Sequence, residues 1–254
     1  MRSPIKDLTF TPKSLQVLKQ LIPPGAKVDS YLLYSGELEM NLAKDNRHVV
    51  SHTTSFMIYD FWRGMFDSPD IILKAVEHFW PIKDPNLFIT YQTGFRRFKD
   101  HLVRAAMFFI LNRCSSEGKI QTGVFDAKNF NPIALTYIKR FERINFDVAW
   151  DEKEDFIDSI NTQTDADYIY FPVGKFSYNF FDDGKSRGFD DTMVNHKLLC
   201  AKVKELDKKV ILDYIYHPRV LKIYRDFPTK IFIDQHGRVV QNAEDAKEVI
   251  IANF

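Results

Sequence analysis

Cysteine is close to absent: Cys114 and Cys200 are the only two among 254 residues, and they lie far apart. A chain of this length buries a sufficient core without disulfides, so both thiols are expected to be reduced and buried. No Cys/His cluster has the spacing of a zinc site, so no metal is expected. No apolar run approaches the length of a membrane span. Behind Met1-Arg2-Ser3-Pro4-Ile5-Lys6-Asp7 there is no apolar stretch of the kind a signal peptide carries. The expectation is a soluble cytoplasmic protein with no membrane partner. Internal repeats and low-complexity tracts are absent as well. Net charge is nearly absent too, at +1 from 35 Lys+Arg against 34 Asp+Glu, so the chain as a whole does not advertise a polyanionic partner.

What is present is an ordinary globular composition, 45% hydrophobic and 27% charged. The charges are unevenly placed. From Arg96 to Arg143, ten basic residues, among them Arg113, Lys119, Lys128, Lys139 and Arg140, face four acids. From Asp147 to Asp167 the balance reverses. A neutral total can therefore hide a basic face.

Periodicity predicts helices over 14–22, 37–43, 55–65, 70–80, 98–111, 132–141, 151–159, 191–206 and 220–225. It predicts strands over 28–34, 47–52, 144–149, 168–171, 209–216, 229–233 and 248–254. A hairpin or an irregular excursion is expected over 119–130, and a loop over 176–188. Strands alternating with helices predict an α/β fold: a mainly parallel sheet with helices on both faces, and an antiparallel edge from the last strands.

Three stretches, in order, resemble Dam-like (adenine-specific) DNA methyltransferases. Lys13-Ser14-Leu15 through Leu21-Ile22-Pro23, with Ser30-Tyr31-Leu32-Leu33-Tyr34-Ser35-Gly36, is similar to that family's opening. Arg104 to Arg113, followed by Gly118, is similar to its helix and Asn-Arg-x-x-x-x-Gly loop. Asp167 to Phe171 is similar to the strand before its Asp-Pro-Pro-Tyr turn. Phe189 to Leu206 and Lys247 to Phe254 extend the likeness over nearly the whole chain. The resemblance implies a Rossmann-like methyltransferase fold made of 1–66 and 144–254, with a small, mostly helical recognition insertion over 67–143. In active members it also implies S-adenosylmethionine at the first glycine-rich turn, a carboxylate on its ribose, and Asp-Pro-Pro-Tyr on a flipped adenine.

At each of those chemical positions this chain departs. Only Lys13 remains of Gly-x-Lys. Tyr34-Ser35-Gly36 offers one glycine where backbone must approach the cofactor. Glu37 and Glu39 follow as expected exposed helix-start acids. The ribose acid is replaced around His52, expected at the surface. The catalytic tetrapeptide becomes Phe171-Pro172-Val173-Gly174, expected as a proline turn. Adenine's exocyclic nitrogen is a poor nucleophile until its lone pair is localised by acceptors, which Phe and Val lack. Asp182 and Asp183 do not have the spacing to substitute. The combined losses imply a catalytically inactive methyltransferase-like protein without a cofactor. Its Arg113, Lys119, Lys128, Lys139 and Arg140 would contact double-stranded DNA, or the shell would serve a catalytic or structural protein partner. Two alternatives stand beside it: an active S-adenosylmethionine-dependent adenine methyltransferase with divergent motifs, and an assembly protein reusing the fold.

Overall fold

The computed structural model describes residues 2–7, 12–80, 82–120, 123–126, 128, 130–153, 155–176 and 194–254. The expected loop beyond Phe176, with Asp182 and Asp183, and the first residues of the helix expected at 191 lie outside them. Among the described residues, 12–54, 144–176 and 194–254 form one compact unit; 2–7 and 55–143 form another. The helices, in chain order, are α1 (Leu15–Leu21), α2 (Glu37–Lys44), α3 (Phe56–Asp67), α4 (Pro69–Phe79), α5 (Pro85–Gly94), α6 (His101–Cys114), α7 (Ile133–Lys139), α8 (Phe156–Ser159), α9 (His196–Lys204) and α10 (Pro218–Ile223). The helix over 56–67 belongs to the second unit, which takes up the chain again at Ser55.

The first unit is built on one sheet. Its strands are β1 (Lys27–Ser30), β2 (His48–Thr53), β3 (Phe146–Trp150), β4 (Tyr168–Gly174), β5 (Lys209–Ile215), β6 (Thr229–Ile233), β7 (Val239–Val240) and β8 (Glu248–Ala252). They lie in the order β3-β2-β1-β4-β5-β8-β6-β7. β1 to β5 are mutually parallel, whereas β8 runs antiparallel to both β5 and β6, and β7 antiparallel to β6. This is a Rossmann-like α/β sheet: strands spread both ways from β1, and right-handed crossovers then place helices on opposite faces. β8, β6 and β7 form the expected antiparallel end of the sheet, with β8 lying between β5 and β6.

Alternation along β4 sorts the two faces. Ile169 and Phe171 pack with Val210 and Leu212 of β5, Val249 and Ile251 of β8, and Leu199 and Val203 of α9. Tyr168 and Tyr170 point the other way, where Ser14 before α1 and Glu39 of α2 meet the sheet. Phe171-Pro172-Val173-Gly174 is not a turn. It continues β4 alongside β5, with the register slipping between Pro172 and Gly174. A proline has no N–H for the ladder, and a bulge is where a sheet tolerates that loss.

In the second unit α6 is buried almost all round, with nine of its fourteen residues inside. Asp100 caps it, accepting from the amides of Leu102 (2.7 Å) and Val103 (3.2 Å). Phe61 of α3 packs on Phe108 and Phe109 of α6, and Arg143 lies 4.3 Å over the ring of Phe66. α5, which has no helical period in the sequence, starts at Pro85 behind the capping carboxylate of Asp84.

Candidate functional site

In an open α/β sheet, ligands bind where the strand order reverses, at the carboxyl ends of the strands. Here that point lies between β1 and β4. Regular pairing of β1 stops at Ser30, short of the expected residue 34. The next three residues take a kinked path. The Tyr31 amide donates to the Tyr170 carbonyl (2.9 Å) and the Leu33 amide to the His52 carbonyl (3.2 Å). Between them Leu32 adopts a left-handed conformation, φ 62°.

The kink delivers the Tyr31 ring into the switch point. It stacks on His52 at 4.5 Å and on Phe171 at 5.3 Å, so one row of rings crosses β2, β1 and β4. The Tyr31 hydroxyl accepts the Asn161 amide at 2.9 Å, and burial pushes its acidity out to about 12.

His52 is not a surface residue. Its side chain is only 14% exposed. Nδ1 lies 3.3 Å from Asp151 Oδ2, and Nε2 lies 3.8 Å from Asp29 Oδ1. Nδ1 also makes a long hydrogen bond to Asp151 Oδ1 at 3.5 Å, whereas Nε2 has no hydrogen-bond partner and meets Asp29 by charge alone. Burial alone would lower the imidazole's affinity for its proton. Asp151 and Asp29 outweigh burial and lift the pKa to about 9. At neutral pH both ring nitrogens therefore carry protons, and His52 offers no basic nitrogen. Asp29 is held in turn by the Thr164 hydroxyl at 2.5 Å.

Gly36, at φ 66°, ends the turn and caps α2. Glu37 is exposed as a helix-start acid, but Glu39 is buried and accepts the Ser30 hydroxyl at 2.9 Å. Burial raises its pKa. Tyr34 is half-buried. Lys13 points its side chain outward and uses its amide instead, which donates to both oxygens of Glu248 (2.9 and 2.7 Å). Beyond the bulge, Phe171 is fully buried, Pro172 and Val173 partly so, and Gly174 adopts φ 69°. No side chain of Phe171 to Gly174 can accept a hydrogen bond.

The basic candidates lie in the helical unit. Arg113 is committed to the protein's own backbone. Its Nε donates to the Pro4 carbonyl (2.7 Å), and its Nη2 to the same carbonyl and to that of Ser3 (3.2 Å). Beside it, Asn112 brackets Lys6 and Gly118. It accepts the Lys6 amide (2.7 Å) and donates to the carbonyls of Lys6 (2.8 Å) and Gly118 (2.7 Å). The Asn-Arg-x-x-x-x-Gly stretch is thus a clasp on residues 3–6. Lys119 follows it, half-buried. Lys128, Lys139 and Arg140 are exposed. The last two share the end of α7, where Lys139 lies 3.8 Å from Glu77.

Asp29 and Asp151 lie outside the family-like motifs, and Tyr31 lies inside one without a role attached to it. Asp29 carries a visible signal, a carboxylate inside the apolar strand 28–34, and Asp213 in Val210-Ile211-Leu212-Asp213-Tyr214 carries the same one.

No protein-family profile and no curated protein matches this sequence. Among solved structures, the SAM-dependent methyltransferase from Agrobacterium tumefaciens is similar, with a TM-score of 0.42 and 11% identity. The match covers 96% of this chain and 63% of that one, so this chain spans less than two thirds of that protein's length. The class of fold stands on the strand order and directions given above: a Rossmann-like α/β protein carrying a helical unit.

Proposed function

We propose that this chain is a methyltransferase-like protein that does not catalyse methyl transfer and acts by binding double-stranded DNA. The observation that carries the reading is the row of rings at the strand switch point. Tyr31, stacked between His52 and Phe171, fills the ends of β1 and β2 and abuts the middle of β4 with the chain's own side chains. S-adenosylmethionine would need bare backbone after β1 and an acceptor for its ribose after β2. The residues present there are a buried tyrosine, a buried Leu33, a carboxyl (Glu39) already bonded to Ser30, and an imidazolium between two carboxylates. That set does not fit the cofactor. A flipped adenine would find no acceptor along Phe171 to Gly174, so its amine would stay unactivated.

Binding falls to the exposed cations of the helical unit. Lys128, Lys139 and Arg140 are candidates for phosphate contacts. Arg113 contributes by shaping the clasp rather than by touching a ligand.

Titration calorimetry with S-adenosylmethionine and fluorescence anisotropy with a labelled duplex test the two halves separately. No heat with the cofactor and salt-sensitive DNA binding are expected. Saturable cofactor binding would instead favour an active enzyme. No duplex binding at low salt would overturn the DNA reading and leave a protein partner as the ligand.

A further inference from the structure

On the face of the sheet opposite the α9 core, three carboxyl groups lie together in the interior: Glu39 of α2, Asp213 of β5 and Glu248 of β8, all 5% exposed or less. Two of them meet the residues that lead into α1. Asp213 Oδ2 accepts the Ser14 hydroxyl and, at 3.1 Å, the Tyr170 hydroxyl. Both oxygens of Glu248 accept the Lys13 amide. Asp213 Oδ1, fully buried, has no partner.

This hydrogen-bond pattern distinguishes the two acids. Glu248 receives backbone N–H donors ahead of α1, which favour its charged form against burial. Asp213 receives two hydroxyl donors on one oxygen and nothing on the other. A carboxylate with a bare, buried oxygen is costly; a neutral carboxyl whose carbonyl oxygen takes both donors is far less so.

We propose that Lys13, Ser14 and α1 form a proton-controlled latch on the sheet, closed while Asp213 carries a proton on Oδ1 and loosened as that proton is lost. Ser14 and the Tyr170 hydroxyl both meet Asp213 Oδ2, so releasing the latch uncovers Asp213 and Tyr170 next to β1. Such a latch would operate whether or not the protein binds DNA.

The groups facing Asp213 are known from each element packed on it: Ser14 ahead of α1, Tyr170 on β4, Glu248 on β8, and Glu39 on α2 across Tyr170. None is cationic, and the Lys13 side chain points outward. Burial, followed by the charge of Glu248, pushes Asp213 up to about 8, against the opposing hydrogen bonds from Ser14 and Tyr170. Burial likewise lifts Glu248 to about 7, although the amides of Lys13 and Ser14 favour its charge.

In the released state both acids return toward ordinary values near 4. The latched form therefore holds more protons between that range and about 8, and the latch weakens with rising pH across this window. Above about 8 nothing further is lost.

Amide hydrogen exchange along α1, expressed as protection factors from pH 5 to 9, reads the latch. In the wild-type protein protection should fall by up to about tenfold per pH unit for each proton taken up on closing, then level off above pH 8. Asp213→Asn keeps an oxygen for Ser14 and Tyr170 but cannot titrate, so its slope should be lower by one proton. Equal slopes in the two proteins would overturn the proposal. If Asp213→Asn does not fold, the carboxyl carbon shift of Asp213 in the wild-type protein decides. A midpoint near 8 is expected, and a midpoint near 4 would overturn the latch.

Discussion

The imidazole of His52 is held between two acids that come from different strands and lie far apart in the chain. Asp29 belongs to β1 and Asp151 follows β3, so one ring ties three neighbouring strands at their carboxyl ends. His52→Gln would leave two carboxylates facing each other with no cation between them. Because the side chain keeps some solvent access, a loss of about 1–3 kcal/mol at pH 7 is expected, below the range for a fully buried pair. The sign with pH follows from the raised pKa. The stabilisation is complete below the ordinary histidine value near 6.5 and disappears as pH rises through about 9. Urea denaturation at pH 7 and pH 9.5 should show the gap between wild type and variant narrowing at the higher pH. A gap that stays constant would mean that the ring is neutral at pH 7.

At the scale of elements, the clasp made by Asn112, Arg113 and Gly118 yields a second expectation. Gly118 has φ 80°, and a Cβ there would lie 2.2 Å from the Lys6 carbonyl oxygen. Gly118→Ala must therefore displace residues 3–6 as well as strain its own backbone. A loss of about 2 kcal/mol or more is expected in thermal or chemical unfolding. Stability within a few tenths of the wild type would mean that the clasp is not formed.

The glycine is visible in the sequence as part of a spaced pattern, but its partner, Lys6, is 112 positions earlier. The same asymmetry runs through the molecule. The alternation of strands and helices is legible because each strand carries its own apolar run, and the two faces of β4 are legible from period two alone. The strand through Pro172 is not, because proline argues locally for a turn and only pairing with β5 and a register slip overrule it. α5 is missed because its buried stripe is narrow, with Phe88 its one fully buried residue. Glu39 and His52 look like surface groups until Ser30, Asp29 and Asp151 are brought beside them.

For the whole molecule, a near-zero net charge makes the local distribution decisive for any polyanion. If duplex binding runs through α7, Lys139→Ala with Arg140→Ala should weaken it alike for all sequences. The logarithmic salt slope should then fall by about 0.9 for each phosphate that is no longer neutralised. Arg113→Ala should instead lower stability, through Ser3 and Pro4, before it changes binding. An unchanged salt slope in the double variant would move the DNA-binding surface away from α7.

The strand β8 has a bearing on how the chain comes to be folded as it is made. β5 precedes it by more than thirty residues, and β6 and β7 are synthesised in between. Yet β6 and β7 reach the rest of the sheet only through β8, which pairs with β5 on one side and β6 on the other. During translation the hairpin of β6 and β7 emerges with nowhere to dock, and β5 waits with an open edge. A ribosome stalled before residue 248 would hold a nascent chain with two unpaired strand edges, open to chaperones or proteases. Arrest-peptide force profiles should place the sheet's closing event after residues 248–252 have left the exit tunnel.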